Sequence, residues 1–234
     1  MLSASALISW CDAAVFDCAD TLLRLDPPRE IIFQDAAAEL GILLSLENIA
    51  HAYELADFAL KPKSSQLTSD EAKSKFYFEF NSGLCGALGI ERSLEQLHPL
   101  LFRRFAERRR WVAFEDAAKT LRAIRRYTPV HALANWDKGL ESVLAQAGLR
   151  NLLGDVAASA TLGAEKPARA CFDAFLKRNE LRPDRVVYVG NEYVADVIGA
   201  RKAGLTPILL DRHDHLPAAD CVRVRTLRDL ICTN

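Results

Sequence analysis

Three polar loops draw attention because each begins where a short apolar run ends. Asp17, Asp20 and Thr21 follow residues 13–16, Asn135 follows residues 129–133, and Asn191 follows residues 185–189 and Gly190. Runs of that length, rich in small and β-branched residues, predict strands. Loops at the carboxyl ends of parallel strands are where such sheets hold ligands and carry chemistry. His213, Asp214 and His215 are of metal-ligand type, but no further ligand lies at workable spacing, and they read as a surface loop. Arg103, Arg104, Arg108, Arg109 and Arg110 could steer an anion; a solvated helix face is the plainer reading. Phe76, Tyr77, Phe78 and Phe80 read as packing, with a share in a pocket wall as the alternative. The six cysteines are scattered, without a CxxC pair, and read as reduced apolar residues of a cytoplasmic protein. Cys18 is read as a core residue rather than a redox centre.

These loops need a scaffold. Further strands are expected at 155–160 and 206–210, and helices at 115–127, 138–147, 168–179 and 194–203. Gly148 and Gly204 stand where helix C-caps belong. Strands alternating with helices of about ten residues indicate βαβ units and a parallel sheet covered on both faces. Residues 26–110 break the alternation. They predict helices at 29–41, 47–60, 70–88 and 93–109, with an interruption at 61–65, and form a helical domain inserted after the first strand. Residues 1–25 and 111–234 form the α/β domain. The 234 residues are 50% hydrophobic and 26% charged, an ordinary globular composition. Lys and Arg (30) nearly cancel Asp and Glu (31), which argues against nucleic acid as an obligate partner. No apolar stretch approaches the ~20 residues of a membrane-spanning helix. Residues 1–10 lack the basic region and cleavage site of a secretory signal. The sequence assigns no oligomeric state.

The segment at 15–23 (VFDCADTLL) resembles the first motif of the haloacid dehalogenase (HAD) superfamily, hhhDxDxT followed by leucines. Residues 130–137 (VHALANWD) resemble its second motif, and Glu165, Lys166 and Pro167 its third. Tyr188, Val189, Gly190 and Asn191, with Asp196 five residues after Asn191, resemble the fourth. The four occur in order, and the resemblance runs through the whole chain. It implies a Rossmann-like α/β core and, for the helical insertion, a C1-type cap. It also implies roles. Asp17 matches the nucleophile that forms an aspartyl-phosphate, and Thr21 the hydroxyl that steadies the nucleophile loop. Lys166 matches the ammonium that offsets the charge of nucleophile and phosphoryl oxygens. Asn135 falls on the substrate side of the second motif, and Asp196 matches an acid that positions the metal shell.

Three positions depart from the pattern. Ala19 stands where the phosphatases carry a general acid/base, Ala134 replaces a phosphoryl-binding hydroxyl, and Asn191 replaces an aspartate that ligates Mg²⁺. Loss of a positioned acid/base costs ~10²–10⁴-fold, and a weakened metal removes transition-state stabilisation. The remaining Mg²⁺ set is Asp17, the backbone carbonyl of Ala19, Asn191 and Asp196, for which weak binding is expected, with Lys166 turning to Asp17. Asp20 stands at the family's usual glycine; it reads as a turn aspartate, with service as the missing acid/base as the alternative. The expected function is a hydrolase of phosphatase lineage, weak or inactive, acting through an aspartyl nucleophile on a small phosphorylated, and so anionic, metabolite. A catalytically silent binding or regulatory protein is one alternative. A metal-independent, dehalogenase-like hydrolase forming an ester at carbon is the other.

Overall fold

A strand buried on both faces needs an apolar run without alternation, and the chain supplies several. The computed structural model describes residues 3–64, 70–108 and 110–231. It opens with α1 (Ala4–Trp10), whose first turn is capped by the Ser3 hydroxyl. There follow β1 (Ala13–Phe16), β2 (Leu23–Asp26), α2 (Arg29–Glu39), α3 (Leu46–Ser64), α4 (Asp70–Ala87), α5 (Leu94–Arg108) and β3 (Arg110–Ala113). The chain continues through α6 (Ala117–Ile124), β4 (Val130–Ala134), α7 (Leu140–Gln146), β5 (Val156–Ala158), α8 (Ser159–Leu162), α9 (Arg169–Arg178) and β6 (Val186–Gly190). A π-helical turn, Tyr193–Ile198, leads into α10 (Gly199–Lys202), β7 (Thr206–Leu210) and β8 (Val222–Val224).

The chain divides into two compact units, one holding the residues up to Arg24 and from Trp111 onward, the other Leu25–Arg110. In the first unit six strands form a sheet in the order β5-β4-β1-β6-β7-β8, every neighbouring pair parallel. Successive residues of the central strands serve opposite faces. Ala14, Phe16, Ala132, Val187 and Val189 enter one core, with Leu121, Leu144 and Leu227. Ala13, Val15, Leu133, Val186 and Tyr188 enter the other, with Phe172 and Phe175. Each large aliphatic or aromatic side chain buried in this way contributes ~1.5–3 kcal/mol. The second unit packs its helices around Phe33, Ile49, Tyr53, Leu84, Leu97 and Leu101. Strands β2 and β3 pair in a separate two-stranded sheet.

Several local expectations change. Residues 61–64 do not interrupt the helix, since α3 runs to Ser64; a proline removes one backbone bond, and the helix carries on past it. Ser65 lies outside the described residues. The helix expected at 194–203 is a π turn followed by a short α-helix. Elements α1, β2, β3, α8 and β8 have no counterpart in the sequence reading, and α8 takes the last two residues of the strand expected at 155–160. Among the described residues no helix is long and apolar enough to cross a membrane.

Candidate active site

The strand order places the carboxyl ends of β4, β1 and β6 side by side. From β1 the chain proceeds to β4 and β5 on one side, then returns with β6 on the other, the switch point at which sheets of this kind hold ligands. Asp17 prolongs β1, its N–H donating to the Val189 carbonyl at 2.9 Å. The loop after it is wound around one acceptor: the Cys18 carbonyl takes the N–H groups of Thr21, Leu22 and Leu23 at 3.3, 2.9 and 2.8 Å. Asp20 sits exposed at the tip with φ +57°, a left-handed conformation that aspartate tolerates better than most residues. That geometry is what a turn aspartate requires.

The charged centre lies beneath this loop. Lys166 Nζ donates to Asp17 Oδ1 and Asp196 Oδ1, both at 2.7 Å, and to the Tyr188 hydroxyl at 2.8 Å. The Lys166, Asp17 and Asp196 side chains are only 3%, 9% and 1% exposed. The Tyr188 hydroxyl in turn donates a hydrogen bond to the Leu133 carbonyl at 2.7 Å. Asp196 Oδ2 accepts the Glu192 N–H at 2.8 Å. Gly190 makes that possible, because a Cβ there would stand 2.2 Å from Asp196 Oδ2. Asn135 grips the Lys166 backbone twice, donating to its carbonyl at 2.9 Å and accepting its N–H at 2.8 Å. The buried Thr21 hydroxyl donates to Asn191 Oδ1 at 3.1 Å. Ala134 is buried at the end of β4.

With both carboxyls ionised, two buried carboxylates and one ammonium give the cluster one negative charge in excess. Burial pushes the Asp17 and Asp196 carboxyls up, against the pull of Lys166. Burial opposes the ammonium as well, but Asp17 and Asp196 outweigh it and hold Lys166 well above the ordinary lysine range. Burial also raises the Tyr188 phenol well above its ordinary value, so it stays protonated.

Arg212 supports the loop from the far side. It donates to both oxygens of Asp116 at 3.0 Å and to the Thr21 carbonyl at 3.0 Å, with its guanidinium 3.9 Å from the Phe114 ring centroid. The sequence reading missed Arg212, and it quoted Tyr188 in the fourth motif without giving it a role. A tyrosine inside an otherwise apolar strand is the one signal that could have pointed to the latter.

The donors expected for a cation, the Asp17 carboxylate, the Ala19 carbonyl and the Asn191 amide oxygen, are an all-oxygen set that suits Mg²⁺ in kind, with Asp17 Oδ1 and Asn191 Oδ1 already accepting from Lys166 and Thr21. It carries little charge, since both Asp196 oxygens are engaged by Lys166 and the Glu192 N–H. Among the described residues no three His, Cys, Asp or Glu side chains gather to hold a metal. His213 and His215 stack on each other with centroids 5.5 Å apart. Arg103 and Arg104 pair with Glu39, while Arg109 lies outside the described residues. Phe76 and Phe80 pack together, and Tyr77 and Phe78 are exposed.

Known proteins resemble this chain in sequence and in fold. The zebrafish (Danio rerio) haloacid dehalogenase-like hydrolase domain-containing protein 3 is 27% identical over 208 residues, covering 86% of this chain and 85% of the relative. A glyceraldehyde 3-phosphate phosphatase of Methanothermobacter thermautotrophicus is 33% identical over 79 residues, 34% of this chain and 33% of its own. Among solved structures, the magnesium-bound HAD-hydrolase YfnB of Bacillus subtilis superposes with a TM-score of 0.71 at 18% identity, over 94% of this chain and 96% of that one. The six-stranded parallel sheet flanked by helices is thus a HAD-like α/β fold. A family model described as haloacid dehalogenase-like hydrolase matches residues 11–204, and the chain belongs to that family.

Proposed function

We propose that this chain is a slow hydrolase of a small phosphorylated metabolite, with Asp17 as nucleophile. The observation that carries the reading is the fixed Asp17 carboxylate: Lys166 holds its Oδ1 at 2.7 Å, and the attack is assigned to Oδ2. Oδ2 forms a bond to phosphorus as the ester P–O bond breaks, and the departing alkoxide takes its proton from water because Ala19 offers none. Water then attacks the aspartyl-phosphate, returning the carboxylate and releasing phosphate and a proton. Thr21 and Asn191 steady the loop, Asn135 fixes the lysine backbone, and Asp196 shares the ammonium. Mg²⁺, held by Asp17, the Ala19 carbonyl and Asn191 with Asp196 behind, would supply Lewis-acid polarisation of a phosphoryl oxygen when bound. The phosphatase among the relatives supports the substrate class, and the five described free cysteines support a reducing, cytoplasmic setting.

The test is hydrolysis of para-nitrophenyl phosphate with Mg²⁺. Turnover well below the ~1 s⁻¹ at which ordinary enzymes begin, abolished by Asp17→Asn, is the expected result. A faster rate overturns the reading of the site as weakened. A rate indifferent to Asp17→Asn overturns the nucleophile. A second reading, a silent binding protein, is favoured by one feature: the Thr21 hydroxyl, the Asn135 amide and all three Lys166 ammonium protons are engaged within the protein. Binding of vanadate without turnover would select it.

A further inference from the structure

We infer that Tyr188 is the positioning residue of Lys166, a phenol that fixes the ammonium between Asp17 and Asp196. The inference rests on the hydrolase reading for its kinetic arm only. An ammonium has three donors. At Lys166 two meet carboxylates and the third meets the Tyr188 oxygen at 2.8 Å. A third carboxylate there would deepen the charge excess of a buried cluster, and an apolar residue would leave one N–H unmet. A neutral phenol avoids both.

Its orientation is fixed from every side. The hydroxyl proton goes to the Leu133 carbonyl at 2.7 Å, so the lone pairs face Lys166. Phe172 stands edge-on to the ring at a centroid distance of 5.3 Å, and Tyr188 is fully buried in β6 opposite Val15 of β1. Through one ammonium, the end of β4 is therefore tied to Asp17 after β1 and to Asp196 after β6. Because no ammonium proton is left over, Lys166 acts by holding Asp17 Oδ1 still. The phenol prevents the lysine from swinging away from that oxygen.

Tyr188→Phe in the full chain, labelled with ¹⁵N-lysine, tests this by NMR. The unmodified protein should show a slowly exchanging Lys166 ammonium signal with a cross-peak to the Tyr188 hydroxyl proton; absence of that cross-peak overturns the proposal without any variant. In Tyr188→Phe the ammonium protons should exchange with water at least about tenfold faster, as expected for a lost bond to a charged group. Where para-nitrophenyl phosphate is turned over, kcat should fall about tenfold with KM nearly unchanged. Wild-type exchange in the variant, or a raised KM with kcat unchanged, overturns the proposal. A parent protein without turnover defeats the hydrolase reading instead, and the exchange rates still decide the role of Tyr188.

Discussion

At the scale of the residue, the excess of carboxylate over ammonium decides what each substitution does. Lys166→Met leaves Asp17 and Asp196 buried without a counter-ion and should cost about 3–5 kcal/mol of stability in urea unfolding at pH 7. A loss below ~1 kcal/mol would contradict the charge assignment. Asp17→Asn does the opposite, leaving one matched pair. The Asp17 carboxyl is raised by burial in the folded state, so its contribution is fully present below its unfolded value of about 3.9 and is lost as pH rises through the folded one. Asp17→Asn should therefore gain stability relative to the parent as pH rises from about 4 to 8, read as a growing difference in Tm. A difference that shrinks with pH would refute this. Asp20, exposed with positive φ, belongs to the turn. Asp20→Asn should leave any hydrolysis within about twofold, whereas a drop of ~10² would make it the acid/base after all.

At the scale of the element, the end of β6 is the tightest joint in the site. Gly190→Ala would drive a methyl group into Asp196 Oδ2 and should cost about 1–3 kcal/mol in thermal unfolding. An unchanged Tm would mean that Asp196 moves aside freely. The same joint shows where sequence reading reaches its limit. Strands at 13–16 and 206–210 were legible, since β1 and β7 are apolar runs of strand length between polar loops. The turn after β6 was not, because the Glu192 carbonyl accepts from both Asp196 and Val197, widening the helix to a π turn. β8 has three residues with Arg223 in the middle, too short and too polar to announce itself. The polar side chains of the four motifs stood out in the sequence, but their partners did not. Tyr188 bonds Lys166 across 22 residues and Leu133 across 55, and Asn135 grips the Lys166 backbone across 31. No local periodicity encodes such pairs.

At the scale of the molecule, the question is whether three side chains alone separate this chain from an efficient phosphatase. The scaffold is in place: the sheet order and the Asp17 carboxylate fixed by Lys166 are both present. Asn191→Asp alone adds a carboxylate to a cluster already one charge in excess, so without Mg²⁺ it should lower stability. Mg²⁺ should then restore more than the loss, by about 2.7 kcal/mol at a hundredfold excess over Kd. Ala19→Asp and Ala134→Ser alone should do little, because groups that act as a unit contribute non-additively. Ala19→Asp, Ala134→Ser and Asn191→Asp together should bind Mg²⁺ in titration calorimetry and raise para-nitrophenyl phosphate hydrolysis by ~10² or more, the scale of one restored acid/base. Failure to bind Mg²⁺ would mean that the loops beside Asp17 no longer admit a cation. Binding without turnover would mean that substrate recognition has diverged as well, and the reading as a silent binding protein would then replace the hydrolase.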